Sequence, residues 1–172
     1  TESNGQKIKA EIHGMAYAFT DTTYPHMKNT VFLNYRIINR SNQNYYNFYI
    51  GMWNDFDIGD YSDDYIGCNV TGDFFFGYNG DNQDGNGGPG TYGASPPTQG
   101  TLFLKGPLAD IGDAMDNDHN CLIDEPFEQC RMNYFTFYNN DWTVIGNPIS
   151  DTAYYRYTHG IWQDGTNMTY GG

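Results

Sequence analysis

The stretch Thr30–Asn39, TVFLNYRIIN, sets Val31, Leu33, Tyr35 and Ile37 on one side of an extended chain and Asn34 and Arg36 on the other. Successive side chains of a strand leave opposite faces of the pleat, so alternation of this kind marks a half-buried β-strand. Upstream, KIKAEIHGMAYAF (Lys7–Phe19) begins the same way, with Ile8, Ala10 and Ile12 against Lys7, Lys9 and Glu11. The polar segment between them, TDTTYPHMKN (Thr20–Asn29), reads as a turn-rich connection. Downstream, NYYNFYIGMW (Asn44–Trp53) is apolar on both sides, as a central strand covered on both faces would be. DFFFGY (Asp73–Tyr78), TLFLK (Thr101–Lys105) and MNYFTFY (Met132–Tyr138) are further short β-type runs bounded by Gly, Asn, Asp and Pro.

Long polar segments separate the later runs. The longest, YNGDNQDGNGGPGTYGASPPTQG (Tyr78–Gly100), is too dense in Gly and Pro for a regular element to persist. SDTAYYRYTHGIW (Ser150–Trp162) fits a helix capped by Ser150 or Asp151, and its ring-rich content suits a strand equally well. The expected architecture is all-β: one domain over residues 1–172, a jelly-roll-like β-sandwich with long Gly/Asn/Asp-rich loops and at most one short helix.

Leu and Val are scarce, but 16 Tyr, 11 Phe and 3 Trp supply the apolar area for a core built from rings. Twenty-one acidic side chains face eight basic ones, a formal net charge of −13. Such a balance disfavours nucleic acid and anionic membranes as partners and favours hard cations. No apolar run approaches the roughly 20 residues that span a bilayer.

The densest acidic run is DNDHNCLIDEPFEQC (Asp116–Cys130). Counted from Asp116, it places Asp118 at position three, Asn120 at five, Leu122 at seven and Asp124 at nine. This is the D-x-D-x-N core of a calcium loop, in which alternate oxygen side chains converge as the backbone curls and the Leu122 carbonyl adds a ligand. Ile123, at eight, is expected to anchor the loop on the core. Two positions depart from the pattern: Cys121 stands where the sharp turn usually takes Gly, and Phe127 where a bidentate Glu would sit. Glu125 or Glu128 is the candidate replacement. The bland alternative is a solvated acidic turn. Five more carboxylates, Asp55, Asp57, Asp60, Asp63 and Asp64, crowd NDFDIGDYSDDYIG (Asn54–Gly67) and form a second candidate metal cluster. Asp81, Asp84 and Asn86 make a weaker third, since Asn-Gly and Asp-Gly are ordinary turn pairs.

Of three cysteines, Cys121 and Cys130 are the expected disulfide, closing a short loop around the acidic run, with Cys68 left as a buried free thiol. Other pairings, or three reduced cysteines, also fit the sequence. His13, His26, His119 and His159 lack zinc-site spacing, and no nucleophile elbow, P-loop or dinucleotide glycine pattern is present. A glycosidase would need two carboxylates across a cleft, and nothing in the sequence singles out a pair. Trp53, Trp142 and Trp162 lie near loop ends, where ring faces can stack on sugars.

NTVFLNYRIINRS, FYIGMWNDFDIGDYSDDYIGCNV, GYNGDNQDG, GGPGTYGASPPTQG and DNDHNCLIDEPFEQCRMNYFTFYNN, taken together, resemble secreted and surface proteins of Bacteroidetes, commonly exported by the type IX system with a C-terminal sorting domain. The likeness covers most of residues 8–172. It implies an extracellular or cell-surface protein of which this chain is one part, continuing past Gly172, and it brings no ligand residues. It also implies O-glycan attachment at Asp-Thr-x, which would fall on Thr22 and Thr152. The resulting expectation is a calcium-stabilised, non-catalytic binding or assembly module. Its alternatives are a carbohydrate-binding module, a subunit of a surface filament made of copies of itself, and a secreted hydrolase using paired carboxylates.

Overall fold

A computed structural model describes residues 5–20, 23–138 and 140–169. Among the described residues the fold is all-β, with antiparallel sheets and a single helix longer than one turn. The described residues divide into two compact units, 5–49 and 50–169.

The first unit is a hairpin. Strand β1 (Ala10–Ala18) pairs antiparallel with β2 (Val31–Asn39) in unbroken register from Ala10↔Asn39 to Ala18↔Val31. Pro25 at the first position of the four-residue helix α1 (Pro25–Lys28) starts the turn between them, where its fixed φ costs nothing. Tyr17 stacks on Phe32 at 5.3 Å, and Phe19 meets both edge-on. At the other end Glu11 accepts from Arg40 at 2.6 Å, and the Tyr45 hydroxyl donates to the Ile8 carbonyl at 2.6 Å. The alternation read in TVFLNYRIIN holds as a strand, but Val31, Leu33, Tyr35 and Ile37 are all exposed. Five of the eight basic residues fall in this unit: Lys7, Lys9, Lys28, Arg36 and Arg40.

The second unit is organised around a three-stranded sheet in the order β3–β4–β7, from β3 (Asp64–Asn69), β4 (Phe74–Asn79) and β7 (Thr98–Leu102). A short 3₁₀ turn, Tyr61–Asp63, leads into β3, and Asp60 caps it by accepting from the Ser62 amide at 3.1 Å. Gly67 admits the Phe76 ring from the paired strand, since a Cβ there would lie 2.5 Å from it. Phe75 packs between Phe56 at 5.8 Å and Phe135 at 5.4 Å. Within the Gly-rich connection, β5 (Gln83–Asp84) and β6 (Gly93–Ala94) form a two-residue ladder that the composition did not lead one to expect. Helix α2 (Asp151–Tyr157) resolves the ambiguity at Ser150–Trp162: the Ser150 hydroxyl accepts from the Ala153 amide at 3.1 Å, the N-cap bond that starts a helix.

Two expected strands are absent from the described sheets. NYYNFYIGMW is irregular, with Asn47 left-handed at φ 52° and Tyr46, Ile50 and Trp53 exposed. Its rings had suggested burial on two faces, but Asn47 breaks the extended run. MNYFTFY runs without a ladder: Phe135 and Tyr138 pack by ring contact, the latter on Tyr157 at 5.5 Å, and not by backbone pairing. The strand β3 went unread because its first residue belongs to the Asp-rich run.

The interior is unusual in kind. Among the described residues the buried apolar side chains are Ile58, Pro148, Ala153 and Tyr157, whereas Asp73, Asn79, Asp84, Asn117 and Glu128 are all buried polar residues. Burying a carboxylate is costly unless it is paired or richly hydrogen-bonded. Asp73 meets that requirement: it is 2% exposed, pairs with Arg131 and accepts from the Met132 amide at 2.9 Å. No ion pair to Asp84 or Glu128 is formed among the described residues.

Candidate metal centre

The acidic loop hangs from a short antiparallel bridge, Leu108↔Gln129. The Ala109 amide donates to the Glu128 carbonyl and the Cys130 amide to the Pro107 carbonyl, each at 2.9 Å. The Arg131 amide closes the base on the Asn117 carbonyl at 3.0 Å. Glu128 is thereby held on hydrogen-bonded backbone and 5% exposed, beside half-buried Asp116 and Asp118.

The curl follows from the residue types. Asp and Asn side chains accept from backbone amides two residues on and so wind the chain into successive tight turns. Asp118 Oδ1 accepts from the Asn120 amide at 3.2 Å, and Asn120 Oδ1 from the Leu122 amide at 2.8 Å. Asp116 accepts from the Asn120 amide at 3.0 Å and the Cys121 amide at 2.8 Å. Cys121, at the position where glycine is usual, adopts φ 73°, so the sharp turn is made with a side chain in place.

The result is a group of three carboxylates, Asp116, Asp118 and Glu128, with one ligand oxygen from each within 4.8 Å of the others. It is the one such His/Cys/Asp/Glu group among the described residues. Glu128 Oε1 accepts from the Asn117 amide, and Oε2 is buried without a partner. Glu125 Oε2 is a second buried oxygen with none, its Oε1 accepting from Asn120 Nδ2 at 2.5 Å. A buried carboxylate oxygen with no donor is a defect unless a cation or water serves it. Hydrogen bonds from backbone amides do not disqualify the others, because each carboxylate oxygen has two acceptor sites.

The expected ligands divide. Asp116 and Asp118 stand in the group, and of the two replacements for the missing Glu it is Glu128 that joins it. Asn120 commits its amide to Glu125 and its oxygen to Leu122. Asp124 turns to the preceding segment, accepting from the amides of Gly112, Asp113 and Ala114 at 2.8, 3.0 and 3.2 Å. Leu122 is 60% exposed. Ile123, expected as the anchor, is 61% exposed, and the bridge at Gln129 does the anchoring instead.

The expected Cys121–Cys130 disulfide is not formed; all three cysteines are free. Cys121 is exposed at the left-handed turn, whereas Cys130 is half-buried on the bridge, where burial and then Asp110, Asp113 and Glu128 push its thiol pKa up. The backbone bridge and Glu128 close the loop in place of a cross-link. Cys68, expected as a buried free thiol, is free but only half-buried, and burial raises its pKa.

In the second acidic stretch, Asp55 and Asp57 are exposed, and Asp60 serves as the cap already described. Asp63 accepts from Asn79 Nδ2 at 3.2 Å, and Asp64 from the Ile58 amide at 2.7 Å. Thr152 is exposed in the first turn of α2, where its amide and hydroxyl both donate to Asp151, at 2.7 and 3.4 Å; Thr22 lies outside the described residues. A shallow depression of about 230 Å³ borders Asp118, lined by Phe103, Lys105, Phe127 and Arg131 among others. It is smaller than the roughly 300–1,000 Å³ of small-molecule sites. No helix among the described residues is long and apolar enough to cross a membrane. Compared with protein-family models, curated proteins and solved structures, the chain finds no match.

Proposed function

We propose that this chain is a calcium-stabilised extracellular module used for binding or assembly, not for catalysis, with calcium acting structurally at Asp116, Asp118 and Glu128. One observation carries the reading. Glu128 is buried, one of its oxygens has no partner, and two further carboxylates bring oxygens to within 4.8 Å of it. A set of oxygen donors without His or Cys suits a hard cation, and calcium tolerates the irregular geometry that magnesium does not. The ion would offset the mutual repulsion of the three carboxylates and fix the loop to its bridge.

Calcium-dependent folding fits a compartment where the ion is plentiful, in line with the Bacteroidetes surface proteins that the sequence resembles. Exposed Trp53 and Trp142, at 68% and 84%, favour glycans as the next ligand class to try. The deciding test is an elemental count on chain purified from calcium buffer and freed of loose ions by gel filtration. At least one calcium per chain is expected, and a chain without any would refute the reading.

A further inference from the structure

Asp64 and Asn79 are register partners where β3 meets β4. Asn79 is 7% exposed; its Nδ2 donates to Asp63 Oδ2 at 3.2 Å and to the Asp81 carbonyl at 3.3 Å. That fixes the amide's orientation and leaves Oδ1 buried with no partner. Asp64 Oδ1 is likewise buried and unpartnered, its other oxygen being held by the Ile58 amide. Side chains of paired residues on one sheet face start about 4.5–5.5 Å apart at Cβ, so the two orphan oxygens belong to adjacent groups.

The surroundings are anionic. Asp84 is 0% exposed and accepts from the Asp60 amide at 2.8 Å and the Tyr92 amide at 2.5 Å. It fits there because Gly59, at φ 73°, has no side chain: a Cβ would lie 1.9 Å from Asp84 Oδ2. Burial, with Asp63, Asp84 and Asp57 nearby, pushes the Asp64 carboxyl pKa up. No basic side chain of this unit answers that charge. Its only three are Lys105, which lines the depression beside Asp118, Arg131, which is paired with Asp73, and Arg156, which donates to the Gln163 carbonyl.

We propose a second hard-cation site, for calcium, formed by the Asp63 carboxylate, Asp64 Oδ1 and Asn79 Oδ1, with buried Asp84 behind them. The donors are all oxygens, two of the three side chains carry charge, the amide oxygen is buried without a partner, and no ion pair to Asp63, Asp64 or Asp84 is formed among the described residues. The site shares no residue with the Asp116–Glu128 group, so either can fail without the other.

Calcium calorimetry and elemental ion counts on the full chain, stripped with chelator and reloaded, provide the test. Wild type should hold two ions. Asn79→Ala and Asp64→Asn should each hold one, retaining the ion that Glu128→Gln loses, and Asn79→Ala combined with Glu128→Gln should hold none. Asn79→Asp keeps an oxygen in place and should still hold two, which separates ligand loss from misfolding. Full wild-type loading in both Asn79→Ala and Asp64→Asn would overturn the proposal and assign the orphan oxygens to a trapped water. A single wild-type ion, lost in Glu128→Gln and kept in Asn79→Ala, would sink this site and leave the first intact. A single ion with the opposite response would do the reverse.

Discussion

Replacing Glu128 by Gln should reverse sign with calcium. In chelator the three carboxylates repel one another. At 4.8 Å and an effective dielectric near 20 each pair costs about 3.5 kcal/mol. Asp116 and Asp118 are only half-buried, and solvent screening brings this to roughly 1–2 kcal/mol per pair. Glu128→Gln removes two of the three pairs and the burial of one charge, while its amide oxygen can still accept from the Asn117 amide. The variant should therefore be more stable than wild type in chelator by roughly 2 kcal/mol. In calcium the order inverts. An ion at this site, at about a hundred times its dissociation constant, stabilises wild type by about 2.7 kcal/mol, an increment that Glu128→Gln lacks. For a chain of this size each kcal/mol moves Tm by about 2–4 °C. Scanning calorimetry should thus show calcium raising the Tm of wild type by about 5–10 °C more than that of Glu128→Gln, which keeps only the ion at Asn79. Equal calcium shifts in the two proteins, or a variant less stable than wild type in chelator, would refute the argument.

Other outcomes follow from single contacts. Cys121→Gly relieves a side chain held at φ 73° and should stabilise the calcium-loaded chain by about 1 kcal/mol in urea unfolding; a loss would show that the thiol packs usefully. Arg131→Met leaves Asp73 buried without its partner, and since Arg131 is itself 46% exposed at its side chain the cost should be about 2–3 kcal/mol. Adding Asp73→Asn should recover most of that loss, and failure to recover would mean the arginine acts through packing. Alkylation followed by mass spectrometry should label exposed Cys121 first and Cys130 last. The Cys130 rate should rise only above the usual thiol pH range, because burial and three carboxylates disfavour its thiolate. A Cys121–Cys130 linked peptide under non-reducing conditions would contradict the free thiols.

Much of this was legible from local pattern. Alternation placed β1 and β2 because a two-residue period has few other causes, and the D-x-D spacing picked out Asp116 and Asp118 because alternate acids curl the chain on themselves. What failed was long-range. Nothing in Asn44–Trp53 told that its rings would remain exposed, and the left-handed turn at Asn47 was indistinguishable from a strand residue. Glu128 was one of two candidates, and the choice was made by pairing at Leu108↔Gln129, twenty-one residues apart. Asn120 and Asp124 have the right chemistry and spacing, yet Glu125 and the Gly112–Ala114 amides compete for them. Asn79 drew no notice, because an amide in a Gly-rich stretch ordinarily marks a turn.

An interior with more buried polar side chains than apolar ones has a calorimetric signature. The heat-capacity increment of unfolding grows with apolar exposure and is reduced by polar exposure, averaging about 12–15 cal/mol/K per residue in ordinary domains. Among the described residues Ile58, Pro148, Ala153 and Tyr157 are the buried apolar groups, and opening the fold also hydrates Asp73, Asn79, Asp84, Asn117 and Glu128. The increment should fall well below that average, giving a shallow stability curve whose height is set by ion activity more than by temperature. Cooling would cost such a protein little. Dilution of its cations would cost it much more.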